Sequence, residues 1–375
     1  MTYVLLTYLF APLLWLLLAL KGRRPLQRIL VIQTAKIGDM ICSTPVFREI
    51  KAKYPHSHLA VLLDPMNRPL VEVNPNVDEA IAALAAEFRG LGGKIRLWRL
   101  LRRGNYDAVI ALNPSLNFVI CAFWALVPVR LSILPDFAGT SYRLAARLWT
   151  GLAQHRPNRL IQRTYLDLLR AIGIESDNAA KEVFQSAAAE AAAAKALGGT
   201  SGPLIGIGVS SGNKLKELGS DKIVALIREL HTQTEATVVF IGSLADRGLA
   251  GEIMSRTEDK TRIKDATGLL GLAELPALLQ RLALYVGVDS GITYMADALG
   301  VPVVSIAGPC NMQETGPTGP DSVILQKDLP CVPCAHIFRA PYTCRLGTRA
   351  CIQTVTASEI SRAAVALLRI QDAPK

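Results

Sequence analysis

No GxxxxGK[ST] loop occurs in this 375-residue chain, so nucleotide hydrolysis of the Walker type is disfavoured. No helix-length segment carries His and carboxylate side chains at metal-catalytic spacing, and a catalytic metal is therefore not expected. Basic blocks interleaved with aromatics are missing, as is zinc-finger spacing, which removes nucleic acid as the expected partner. What is present is a modest basic excess, 41 Lys and Arg against 31 Asp and Glu, spread along the chain. Such a surface attracts phosphorylated lipid or nucleotides. Half of the residues are hydrophobic, enough for two domains and a short extra segment.

Charge is also absent from Thr2 to Leu20, which is followed by Lys21, Arg23, Arg24 and Arg28. The stretch is long enough to span a bilayer. A secretory signal would place its positive charges first and end at a small-residue cleavage site; neither feature occurs. The basic cluster on the C-terminal side places the body of the protein in the cytoplasm, with the N-terminus outward or a hairpin-like dip at Pro12. A buried core helix is the alternative reading.

Arg28 to Ile32 reads as a buried parallel strand, followed by a loop and a helix from about Met40 to Lys53. Leu59 to Leu63 and Ala108 to Leu112 repeat the strand signature, so the first half is expected to be an open α/β sheet. The Ala-rich run 186–196 and the Gly-rich link 197–203 mark the expected domain boundary. Strands at 204–209, 237–241, 284–288 and 301–306 predict a second α/β sheet. The expected organisation is a membrane segment over 1–24 and two Rossmann-like domains over 25–196 and 197–375. Chemistry is expected beyond the carboxyl ends of the strands, in a cleft between the domains.

Four segments carry chemistry-bearing residues. In Lys36 to Pro45, Gly38 permits a tight turn and Asp39 stands near the start of a helix, where it is either a general base or a cap. Gly208 to Lys216 offers Ser210, Ser211, Lys214 and Lys216 to a diphosphate, or is an exposed polar turn. Val288 to Met295 ends a strand in Asp289, Ser290 and Gly291, which suits a phosphate or an ordinary capped turn. Cys331, Cys334, Cys344 and Cys351 fall within twenty-one residues, spacing that fits a structural zinc in a reducing compartment; free thiols are the alternative.

Taken together, RILVIQTAKIGDMICSTPVFREIKAKYP, VDSGITYMADALGVPVVSIAGP and the later TGP resemble glycosyltransferase family 9, the lipopolysaccharide heptosyltransferases. The resemblance runs over roughly residues 28 to 365. It implies a GT-B fold with two Rossmann-like domains facing across a cleft, an acceptor domain over 25–196, a nucleotide-heptose donor held mainly by the domain over 197–375, and inversion without a metal. It implies further that Asp39 is the base and that Ser210, Ser211 and Lys216 contact donor phosphates, with Lys214 as rival. Asp289, Ser290 and Gly291 match the family's Asp-Thr-Gly. Two positions depart: Gln33 replaces a basic residue, and Tyr294 replaces a histidine whose charge a phenol cannot supply.

The expected activity is transfer of a sugar, heptose from ADP-heptose, to a lipopolysaccharide core or related glycolipid at the cytoplasmic face of the inner membrane, with no catalytic cofactor. The alternatives are a GT-B nucleotide-sugar epimerase or hydrolase and a membrane-tethered nucleotide-sugar binding protein.

Overall fold

The computed structural model describes residues 2–22, 24–200 and 202–372. Arg23 of the basic cluster, Ser201 of the Gly-rich link and residues 373–375 lie outside the described residues. The chain folds as two compact units, residues 1–179 and 180–375. The division falls upstream of the expected 196/197 boundary. The physical reason is the Ala189–Leu197 helix, whose closest helical partner is Leu275–Leu279 of the second unit.

The first unit holds six parallel strands: β1 (Arg28–Gln33), β2 (His58–Leu63), β3 (Glu79–Ala82), β4 (Ala108–Ala111), β5 (Val129–Leu134) and β6 (Gly151–Gln154). Their order is β3-β2-β1-β4-β5-β6, with β1 paired to β2 from Arg28↔His58 and to β4 from Ile29↔Ala108. Ile29 to Ile32 are fully buried, as a strand covered on both faces by helices must be.

The second unit repeats the order with β7 (Leu204–Gly208), β8 (Thr237–Ile241), β9 (Ile263–Asp265), β10 (Leu284–Val288), β11 (Val303–Ile306) and β12 (Ser322–Leu325), arranged β12-β11-β10-β7-β8-β9. Both sheets are doubly wound, and each reverses strand order between its first and fourth strands. Loops leaving the carboxyl ends at that reversal are the natural ligand sites. In the second sheet Tyr285 fits because Gly208 and Gly287 lack side chains: a Cβ on either would meet its ring or hydroxyl within 2.6 Å.

Thr2–Lys21 is one helix, and among the described residues it is the only one long and apolar enough to cross a membrane. It does not stand apart from the fold as a free span would. Val4, Thr7, Ala11 and Leu14 are buried against the first unit, Trp124 Nε1 donates to Thr7 Oγ1 at 2.9 Å, and Tyr8 donates to the Leu144 carbonyl at 2.8 Å.

A buried ion pair fixes the loop that leads into β12. Lys181 Nζ lies 2.7 Å from Asp297 Oδ2, with the two side chains 1% and 0% exposed. Asp297 Oδ1 accepts from the amides of Thr318 and Gly319 at 2.9 and 2.8 Å. Lys181→Met strands a carboxylate in the core and is expected to lower stability by about 3–5 kcal/mol in urea unfolding. Adding Asp297→Asn should recover most of that loss; equal stability of the single variant and the wild type would show the pair to be idle.

Candidate active site

In the first unit, β1 delivers a loop and then a helix, Ile37–Lys53, at the point of strand reversal. Asp39 is the third helical residue, and its Oδ2 accepts from the backbone amide of Lys36 at 3.2 Å. The carboxylate thus caps the helix and is directed toward the loop; the two readings of Asp39 are compatible. The loop is held on both sides: Asn113 Oδ1 accepts from the Thr34 amide at 2.6 Å, and Asn67 Nδ2 donates to the Ala35 carbonyl at 2.8 Å.

Gln33 explains its own presence. It is fully buried, and its Nε2 donates to Ser43 Oγ at 2.8 Å, while Ser43 donates to the Asp39 carbonyl at 2.8 Å. A charged side chain there would need a counterion inside the unit. Tyr165 is buried behind it; burial, then the negative charge of Asp39, pushes its pKa well above the ordinary value.

In the second unit, the loop after β7 carries Ser210 to Lys216 and the loop after β10 carries Asp289 to Gly291, again at the reversal. The ammonium of Lys216 is paired with the Asp289 carboxylate and lies 3.4 Å from the Asp289 carbonyl. Burial opposes its charge, but the negative charge of Asp289 prevails and holds its pKa well above the usual lysine range. Asp289 also receives the Tyr294 hydroxyl and, at 2.9 Å, the Cys310 thiol. Burial, then Asp289, keeps that thiol protonated by raising its pKa.

Tyr294 therefore braces Asp289 from inside, with its ring 5.7 Å from Lys181 Nζ. Lys214, by contrast, is 83% exposed and paired with Glu217 at 2.7 Å. Of the two rival lysines, only Lys216 joins the β10 loop. Ser211 Oγ accepts from the Asn213 amide at 3.3 Å, and Ser290 heads the Gly291–Ala298 helix.

Three contributors escaped the sequence reading. Ser210 bonds to Asp246, whose pKa is lowered because this bond and those from Ser243 outweigh burial. Asp246 closes a capping box with Ser243, a Ser-x-x-Asp pattern just after β8 that could have been recognised. Glu217 and Cys310 carry no such signal.

The cysteine-rich segment packs against the donor-side loop. Asn213 Nδ2 donates to the Pro341 carbonyl at 3.0 Å, and Arg349 donates to the carbonyls of Leu215, at 3.2 Å, and Glu217. Cys331, Cys334, Cys344 and Cys351 are not joined in disulfides. Burial raises the pKa of Cys334 and Cys351, and the neighbouring sulfurs raise both further. Backbone amides of Arg349 and Leu346 lower that of Cys344. The donor chemistry suits a soft divalent ion, although among the described residues no three of these side chains close into a metal-holding group.

The model of glycosyltransferase family 9 (heptosyltransferase) matches residues 94–341. The chain belongs to glycosyltransferase family 9. It is accordingly an enzyme, a glycosyltransferase, and its two parallel sheets form a GT-B-like fold. Lipopolysaccharide heptosyltransferase 3 of Escherichia coli K12 is 25% identical over 281 residues, 72% of this chain and 79% of that protein. The structure of E. coli ADP-heptose lipopolysaccharide heptosyltransferase II superposes with a TM-score of 0.72 at 20% identity, over 92% of this chain and 100% of that one. That of E. coli heptosyltransferase WaaC with ADP gives 0.67 at 15% identity, over 91% and 99%.

Proposed function

We propose that this glycosyltransferase moves heptose from ADP-heptose onto a hydroxyl of a lipopolysaccharide core or related glycolipid, with inversion and without a catalytic metal. The observation that carries this reading is the placement of complementary groups at both strand reversals: a carboxylate, Asp39, after β1, and a lysine locked to a carboxylate, Lys216 and Asp289, after β7 and β10. The relatives named for lipopolysaccharide and ADP-heptose supply the substrate class.

In the proposed reaction Asp39 takes the proton of the acceptor hydroxyl as that oxygen bonds to the anomeric carbon. The bond from that carbon to the β-phosphate oxygen breaks, and ADP departs with the electron pair. Lys216 offsets the charge growing on the diphosphate, and Ser210, Ser211 and the amides of Ser290 and Gly291 hold its oxygens. The Thr2–Lys21 helix attaches the enzyme to the cytoplasmic face of the inner membrane, where such acceptors are found.

ADP release from ADP-heptose should require a lipid A–core acceptor. Release at the same rate in water alone would favour a hydrolase, and conversion of the donor sugar without ADP release would favour an epimerase.

A structural zinc in the four-cysteine segment is also proposed, bracing the loop that carries Lys216. Purified enzyme should hold about one zinc per chain, and its chelation should weaken ADP binding. Metal analysis finding none, with all four thiols titratable, would remove it.

A further inference from the structure

The N-terminal helix carries more information than its apolarity. Its contacts with the first unit run its whole length: Lys94 Nζ stands 4.2 Å from the centre of the Tyr3 ring, Trp124 binds Thr7, the ring of Phe123 lies 5.9 Å from that of Trp15, and Lys21 Nζ donates to the Leu126 carbonyl at 2.8 Å. From Tyr3 to Lys21 such a helix rises about 27 Å. That is close to the roughly 30 Å of a hydrocarbon core. If the helix crossed the bilayer, the elements docked along it would have to enter hydrocarbon too. Those include Leu116–Trp124 and, beside it, the Gly90–Gly104 helix with Lys94, Arg96, Arg99, Arg102 and Arg103. Burying so many cations in lipid is prohibitive.

The opposite side of the helix is a ridge of Leu5, Leu9, Leu13, Leu16 and Leu20, exposed by 59, 73, 54, 57 and 76%. These positions fall within one narrow arc of a helical wheel, facing away from Val4, Thr7, Ala11 and Leu14. On the same unit, Arg28, Arg96, Arg99 and Arg103 line an open depression of about 740 Å³, with Tyr106 and Glu79 in its wall. Arg96 is additionally paired with Glu87 at 2.6 Å.

We propose that the first unit rests on an anionic phospholipid surface, its N-terminal helix lying in the membrane plane with the leucine ridge in the acyl boundary and the arginine-lined depression receiving lipid phosphates. This placement rests on the membrane attachment proposed above and replaces a span with an in-plane helix. Apolar burial supplies the anchorage, and the arginines select anionic lipid.

The test uses the full chain with a fluorescent non-canonical residue in place of Leu5, Leu9, Leu13, Leu16 or Leu20 in turn. Vesicles of phosphatidylethanolamine with phosphatidylglycerol carry quenchers at set depths. All five sites should report one shallow depth, whereas shallow ends flanking a deep centre on bound protein would overturn the in-plane placement alone. The combined variant Arg96→Gln, Arg99→Gln, Arg103→Gln should partition into these vesicles roughly a hundredfold less and into phosphatidylcholine vesicles unchanged. An equal loss on both, or no loss, overturns the lipid-phosphate role; the exposed second-unit variant Arg228→Gln is the control. Failure of the wild type to bind either vesicle, with self-association through the ridge instead, would overturn membrane attachment itself.

Discussion

Asp39→Asn is expected to lower kcat for heptosyl transfer by roughly a hundred- to ten-thousandfold, with donor affinity kept within about threefold. The substitution is close to isosteric, and the amide oxygen can still accept from the Lys36 amide, so the helix start survives. Only the capacity to take a proton goes. Asp39→Ala removes the cap as well and should add about 1 kcal/mol of destabilisation. If Asp39→Asn retained more than about a tenth of wild-type turnover with an unchanged fold, the carboxylate would be a cap and nothing else.

Lys216→Met should lower kcat by about 10²–10³-fold and weaken ADP binding, while Lys214→Ala should change either by less than about threefold. The contrast follows from their settings: Lys214 projects into solvent beside Glu217, whereas Lys216 is held by Asp289. Removing Lys216 also leaves Asp289 in a buried site with only the Tyr294 hydroxyl and Cys310 thiol among its side-chain donors described above, so stability should fall. The double variant Lys216→Met, Asp289→Asn separates these effects. It should regain stability without regaining activity; recovery of both would mean that Lys216 serves the fold alone.

Much of this architecture was legible because central parallel strands are covered on both faces and read as unbroken apolar runs. Thr237–Ile241 and Leu284–Val288 were located to the residue. β5 was not, since Arg130 and Ser132 interrupt VRLSIL. Arg130 is nonetheless buried, donating to the carbonyls of Leu148 at 2.9 Å and Pro128 at 3.1 Å, a solution that depends on the tertiary fold. β3, β9 and β12 are short and only partly buried, which removes the hydrophobic signal.

The site divides along the same line. Asp39, Ser210 and Asp289 sit in strand-loop-helix units whose pattern is local. Cys310 and Asp246 join them only because neighbouring strands end at the same edge of the sheet. The docked stripe of the N-terminal helix was equally hidden, because leucine and aromatic residues occupy every face. Thr7 and Ala11, the small residues that let it approach Trp124 and its neighbours, are distinguished only by what they touch.

The central claim is best tested on the product. The enzyme would be incubated with ADP-heptose and a lipid A–core acceptor, and the glycolipid examined by mass spectrometry and by NMR of the new anomeric centre. One added heptose, its anomeric configuration opposite to that of the donor, is the predicted result. ADP release without a heptosylated lipid, or a product that keeps the donor's configuration, would contradict the account.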